Sequence, residues 1–598
     1  MQDDKQRRWQ RLKKTSLNKK DLSRRMRRVE GATMRHARKF IVRRWSNARE
    51  VRRHIITWVV AVGLLIAAIG LQLMWYQQSY RTTTVANDGT YAEAVLGPVD
   101  TLNPLFAATD AEDSASHLLF SRLFTYDASG HLSGDLATNF KIDPTGKVYT
   151  VTIRSDARWH DGVKITAKDV AFTIGLLKNP AVHSTNPEDW SGVSVTVIND
   201  TTLNFTLPAI IAAFPHALTF PIVPEHILGK VAPNEIRENE FGRSPIGSGP
   251  FKLRFVQDVD VNAGRKIIHL ARNGDYYHGA SKLELFQLHV YGSHDAIVRA
   301  LATDEVNAAS GLSATDIGQV DASRYDRETS PIKSGVYALL NTTRDSLKDK
   351  VVRQALQQGT DTRAIRAQLP AGTPALDLPF IEGQLSGDVP KVASYNPDAA
   401  RKLLEDDGWK LDSGVRKKAG VTLQLAVVTI KDSDYERVLE TLIEQWRDLG
   451  IVVSTQVVDP SDSTQQVVQD ILQPRKFDVL LYQLTIGADP DVYAYWHSSQ
   501  ANSRGVNFSN YSNPISDDAL VSARSRLEPG LRNIKYLTFA RQWVSDVPAI
   551  GLYQSTTHYV HNKSASAFKS SNILVSPINR YADVLYWTVG SHSVYKTP

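Results

Sequence analysis

The run Asp489-Pro490-Asp491, followed by Val492, Tyr493, Tyr495 and Trp496, brings acidic and aromatic side chains together in a way that suggests chemistry. Carboxylates beside aromatic faces receive a cationic or amphipathic ligand through ion pairing and cation–π contact. The same run also reads as a helix start, its aspartates beside N-terminal N–H groups and its aromatics in a core. The sequence leaves both readings open. His160-Asp161, in RWHDG, tempts one toward a metal or an acid/base pair. Adjacent residues on a strand or turn point apart, however, so the dipeptide makes no chelate and reads as a turn.

The remaining catalytic vocabulary is thin. The chain has no cysteine, which excludes thiol chemistry and Cys–zinc sites. It has no HExxH, no GxSxG and no P-loop, so any ATP hydrolysis must come from another chain. No nucleophile–base set is legible, so no enzyme activity, cofactor or metal is expected.

Positioning these residues needs an α/β scaffold. Tyr91–Leu96, Tyr149–Ile153 and Thr202–Leu207 alternate as strands, and a helix is expected over His117–Leu123. Lys168–Lys178 reads as a helix capped by Thr166. Further on come helices at Lys350–Gln357 and at Pro397–Asp406, the latter opened by Asn396. Val421–Thr429, Ile451–Val458 and Phe477–Tyr482 read as strands around a helix at Tyr435–Leu449. Strand–helix–strand order there argues for a mixed sheet.

Ile55–Trp75 carries no charged residue and has the length of a membrane span, with Trp58, Trp75 and Tyr76 as interfacial anchors. The 54 residues before it hold 20 Lys/Arg and 5 Asp/Glu, a net +15, so the remainder carries −8. The positive-inside bias keeps the N-terminus in the cytoplasm and sends the rest outside. A cleaved signal peptide fits less well, because the apolar run is long and LQLMWYQQSY offers no small-x-small site. The helix is therefore expected to be an uncleaved signal anchor, with the basic tail touching anionic headgroups and nucleic-acid binding disfavoured. The expected division is tail 1–54, transmembrane helix 55–76, linker 77–89, then a globular part.

RWHDGVKITAKDVAFTI, residues 158–174, resembles the consensus of the family 5 solute-binding proteins of ABC importers, the oligopeptide, dipeptide and nickel binders. PIGSGPFKL at 245–253, ARNGDYYHG at 271–279 and the 341–365 block are similar to further blocks of that family, in order. So are SYNPDAARKLLEDDGW at 394–409, FDVLLY, NFSNYSNPISD at 507–517 and VPAIGLY at 547–553. Gly274 stands where proline is usual.

The resemblance implies a two-lobed, periplasmic-binding-protein type II-like α/β fold that closes on its ligand. Lobe one would be residues 90–292 plus 555–598 and lobe two 293–554, with crossovers near Val290–Ser293 and Gly551–Gln554. The implied ligand is a peptide, probed by Asp489, Asp491, Tyr493, Trp496 and Asn507, with Asp110 and Asp113 facing it from lobe one. A lobe-two aspartate receives the peptide α-amino group in such proteins, which points to Asp489, although Asp489 also aligns with the D/E-P that follows that residue. Implied partners are an ABC permease and its separate ATPase subunits. The alternative is a membrane-tethered ligand sensor built on the same trap.

Overall fold

The computed structural model describes residues 48–85, 89–185, 190, 192–459, 467–569 and 573–595. Most of the expected basic tail, residues 1–47, lies outside them. Helix α1 spans Ala48–Tyr80, and its Arg52–Trp75 portion is 24 residues, long and apolar enough to cross a membrane. At 1.5 Å per residue that portion reaches about 36 Å, more than a hydrocarbon core of about 30 Å. None of it is buried; Trp58, Leu64 and Trp75 all face outward. The helix continues into the expected linker. Strand β1 (Arg81–Val85) follows and pairs with Ser591–Tyr595. These elements form one compact unit, and Val85–Ser591 forms another.

In the second unit β2 (Thr90–Leu96) is flanked by parallel strands on both sides. This explains why TYAEAVL is buried on both faces. Helix α2 (Asp110–Leu119) starts earlier than expected because Thr109 caps it, accepting from the Glu112 N–H. It ends before Leu123 because Ser121 bonds through backbone N–H and hydroxyl to Ser248.

Strands β3 (Ala137–Ile142), β4 (Val148–Ile153), β5 (Ser194–Asn199) and β6 (Thr202–Thr206) form a four-stranded antiparallel sheet, ordered β3-β4-β6-β5. Their alternation puts Tyr149, Val151, Leu203 and Phe205 into the core. Helix α3 (Ala167–Lys178) opens with a capping box of Thr166 and Asp169.

The chain continues through β7 (Phe251–Asp260), β8 (Arg265–Arg272), β9 (Leu285–Tyr291), α4 (His294–Ala302), β10 (Ala308–Ser310) and α5 (Ala314–Gln319). Then come β11 (Tyr325–Leu340), α6 (Lys350–Gln358), α7 (Thr362–Arg366), α8 (Pro397–Asp406), β12 (Gln424–Ile430), α9 (Ser433–Asp448) and β13 (Val452–Val458). Last are β14 (Val479–Thr485), α10 (Tyr493–Trp496), α11 (Pro514–Arg524), α12 (Pro529–Asp546) and β15 (Ala549–Asn562). Asn396 caps α8 with Pro397 in its first turn, as expected.

A ten-stranded sheet, ordered β13-β12-β14-β11-β15-β10-β2-β9-β8-β7, runs through both lobes. The antiparallel pair β11 and β15 joins its halves. Their register is continuous from Tyr325↔Asn562 to Pro331↔Thr556, resumes at Gly335↔Gln554, and shifts in between. Pro331 cannot donate to the ladder. Gly335 leaves room for Leu376, with which a Cβ there would collide. A break in pairing on two single-chain crossings is where two lobes can pivot.

One large core lies under the β2 half of the sheet, while two cores cover opposite faces of the other half. A smaller cluster joins Ile297 and Leu301 of α4 and Leu312 to Ala92, Ala94 and Val560. Residues 294–319 therefore pack with the β2 half, and the chain passes to the other half at Pro331–Gly335, later than Val290–Ser293. Buried Glu93 ties the C-terminal region to β2. It accepts from Arg580 Nε at 3.0 Å, Tyr581 at 2.8 Å and Tyr559 at 3.0 Å.

Candidate functional site

Two crossings with a register break leave polar backbone and side chains at the pivot. Lys333 sits in the break, and its carbonyl accepts from the N–H groups of Ile486 and Gly487, just past the end of β14. Its Nζ reaches the Gly130 carbonyl at 3.4 Å. Burial lowers the Lys333 ammonium, with Asp127 opposing. Beside it Gln554 donates to the Ile332 carbonyl and Ser555 bonds Gln483.

The loop from Ile486 carries the Asp-Pro-Asp run. Asp489 accepts both terminal nitrogens of Arg532 in α12, at 2.7 and 2.6 Å. Arg532 also donates to the Tyr536 hydroxyl at 3.1 Å. Although burial acts to lower the guanidinium, its bonds to Asp489 raise it. Asp491 binds Arg524 Nε at 2.9 Å and caps Tyr493 N–H. Burial and then Asp489 raise the Asp491 carboxyl against the pull of Arg524. Asp491 thus sits just before α10 and accepts its first N–H, and both acids are paired with arginines of the same chain.

Tyr149 and His216, on the β2 side, lie within electrostatic reach of the pair. Burial pushes the Tyr149 hydroxyl up to about 12, with Arg532 opposing and Asp489 adding. Burial lowers the His216 imidazole; Asp489 pulls it up while Arg532 and Lys333 push it down. His216 lies in the short helix Phe214–Ala217, and its Nδ1 meets the Tyr126 hydroxyl at 2.9 Å. Nearby, the Ala212 N–H donates to the Arg524 carbonyl at 2.9 Å, a direct bond between lobes.

Tyr493 stacks on His497, bonds Ser499 and lies under Arg524. Trp496, 1% exposed, is core, edge-on to Trp543. Asn507 is fully buried and spends its amide on the backbone of His497 and Tyr511. Asp110 opens α2 beside Gly311. Asp113 lines a separate cavity of about 360 Å³ with Arg122 and Thr219. The structure thus brings Asp489 and Asp491 together at the lobe boundary, while Trp496 and Asn507 support it from within. Tyr126, Tyr149, His216 and Lys333 escaped sequence reasoning, because they come from four distant segments. His160 Nε2–H donates to the Gly249 carbonyl at 3.1 Å, and Asp161 meets His226 at 2.8 Å, a structural turn as read. Among the described residues no cluster of three or more His, Cys, Asp or Glu is placed to hold a metal.

The sequence profile of the bacterial extracellular solute-binding proteins, family 5 Middle, matches residues 131–505, more than half of the chain. The chain belongs to this family. Such a protein binds a solute and does not transform it, and the family is extracellular. The oligopeptide-binding protein AppA of Bacillus subtilis is 28% identical over 489 residues, covering 79% of this chain and 88% of AppA. The structure of AppA in complex with a nonapeptide superposes with a TM-score of 0.68 at 26% identity, covering 85% of this chain and 100% of that one. NikZ of Campylobacter jejuni, in complex with Ni(L-His), gives a TM-score of 0.70 at 25% identity, covering 83% of this chain and 99% of NikZ. The family 5 fold is two-lobed.

Proposed function

We propose that this family 5 protein is a membrane-anchored receptor that captures peptides between its lobes and delivers them to an ABC permease with separate ATPase subunits. The observation that carries this reading is the ion-paired Asp489 at the lobe boundary, within electrostatic reach of Tyr149 and His216, in a chain similar to an oligopeptide-binding protein. The lobes are assigned as 90–330 plus the segment from 555 onward, and 335–554. Asp489 is the proposed contact for the peptide α-amino group: a carboxylate offers about four lone-pair sites, and a bidentate guanidinium uses two. Asp491 and Tyr493 hold that loop, with Trp496 and Asn507 beneath it; Asp110 lies on the lobe-one side.

The helix Arg52–Trp75 is the proposed tether, with the basic tail inside and the lobes outside. It keeps the trap near its permease. Mass spectrometry of small molecules released by acid from the detergent-solubilised full chain tests the reading. A set of short peptides is the expected result, and a metal chelate or sugar in their place overturns it. Asp489→Asn then tests the amine contact by calorimetry with a released peptide: weaker binding is expected, and unchanged affinity removes Asp489 from the site.

A further inference from the structure

We propose that the second lobe carries a separate site for a small carboxylate with an apolar body, in the cavity between α6–α7 and the segment 375–395. β15 has β11 on one side, and β10 joins its other side only at Tyr559–His561. From Ala549 to Gln554 no strand pairs with that other side among the described residues; the segment from Pro374 runs beside it, with the Gln554 N–H donating to the Pro374 carbonyl. Past that side, α6 and α7 meet a segment that packs on the opposite face, around a cavity of about 890 Å³. That volume lies in the range of sites for small organic ligands, roughly 300–1,000 Å³.

Gln357, at the end of α6, lines this cavity and is only 7% exposed. Its side-chain amide has no hydrogen-bond partner among the described residues and is left open to the cavity. Arg366, at the end of α7, lines the same cavity. Among the described residues its guanidinium reaches only neutral oxygens, Thr362 Oγ1 at 3.2 Å and the Leu552 carbonyl at 3.4 Å. A guanidinium fork with no carboxylate, in a cavity that also holds an amide with no partner, offers donors for the two oxygens of a carboxylate. Phe380, Val389 and Val392 supply apolar wall for the rest of the ligand. At the exposed rim Asp377 and Glu382 are set against Lys391, so the anion preference resides at the buried end. None of these residues belongs to the cluster around Asp489, and the site stands whether or not the main cleft takes peptides.

The test is calorimetry of the full chain with 4-phenylbutyrate and with its uncharged amide, 4-phenylbutanamide. One molecule of the acid is expected to bind per chain, and the amide at least about tenfold more weakly. Arg366→Gln should weaken the acid by a similar factor. Ala393→Trp, an exposed lining position, should block it by filling the cavity while leaving the thermal midpoint and the peptide affinity of the main cleft unchanged. Equal binding of acid and amide, no binding at millimolar concentration, or full binding by the Ala393→Trp variant would each overturn the assignment.

Discussion

Arg532 grips Asp489 through both terminal nitrogens, at 2.7 and 2.6 Å, with side-chain exposures of only 13% and 11%. In such a pair each charge is tolerated inside because the other is there. Removing one leaves an uncompensated charge and costs about 3–5 kcal/mol. Arg532→Ala is therefore expected to lower unfolding free energy by that order in urea titrations. The double variant Asp489→Leu/Arg532→Leu should recover part of the loss; a strictly additive double variant would show that the two side chains do not act as a pair.

Arg524 has two jobs. Its side chain is held by Asp491 at 2.9 Å, and its carbonyl accepts the Ala212 N–H from the opposite lobe. Leu527, three residues on, faces Ile210 and Gly146. Asp491→Ala frees the end of α11 and weakens the contact between lobes. Peptide dissociation measured by stopped flow should rise several-fold with little change in association, since most interface changes act on the off-rate. An unchanged off-rate would remove this contact from lobe closure.

Buried histidines, His160 and His289 among them, give the fold a pH signature. Burial holds His160 down to about 4. Burial, with Arg265 second, does the same to His289. The unfolded chain binds these protons near pH 6.5, so between pH 6.5 and 4 it carries more protons than the native state. Stability is thus complete above about pH 6.5 and is lost as pH falls through that window, by about 1.4 kcal/mol per pH unit for each histidine at most. Denaturant midpoints taken across the window should slope downward toward acid. His160→Gln should make that slope shallower, and a slope it leaves intact would show that His160 does not contribute.

Glu93 and Arg580 close the first lobe from inside. Glu93 is fully buried, and Arg580 reaches it at 3.0 Å while also binding Ser114 at 2.8 Å. Glu93→Gln keeps the shape but strands a buried guanidinium, with an expected loss of about 3 kcal/mol. Limited proteolysis should then cut near Pro577–Tyr586 first, because that segment is tied down through Arg580. Cleavage that begins elsewhere would argue against this tie.

Local pattern was enough for many elements of this protein. Period-two runs marked β2, β4 and β6, and caps at Thr166 and Asn396 marked α3 and α8. An uncharged run of membrane-spanning length marked the core of α1. These depend on neighbours a few residues apart, so the sequence alone determined them, and motif blocks in order pointed to the family. What it could not determine were long-range partnerships. His117–Leu123 read as helix because its apolar spacing is helical, yet Ser121 is claimed by Ser248, far along the chain. Trp496 and Asp489 share one short acidic–aromatic run, but one is core and the other lies at the lobe boundary. Only tertiary structure decided that Asp489 meets Arg532, that Tyr149 and His216 come within electrostatic reach of them, and that Gln357 and Arg366 line one cavity. Each pairing joins segments whose separation along the chain carries no periodic signal, and each is set by how sheet and helices pack.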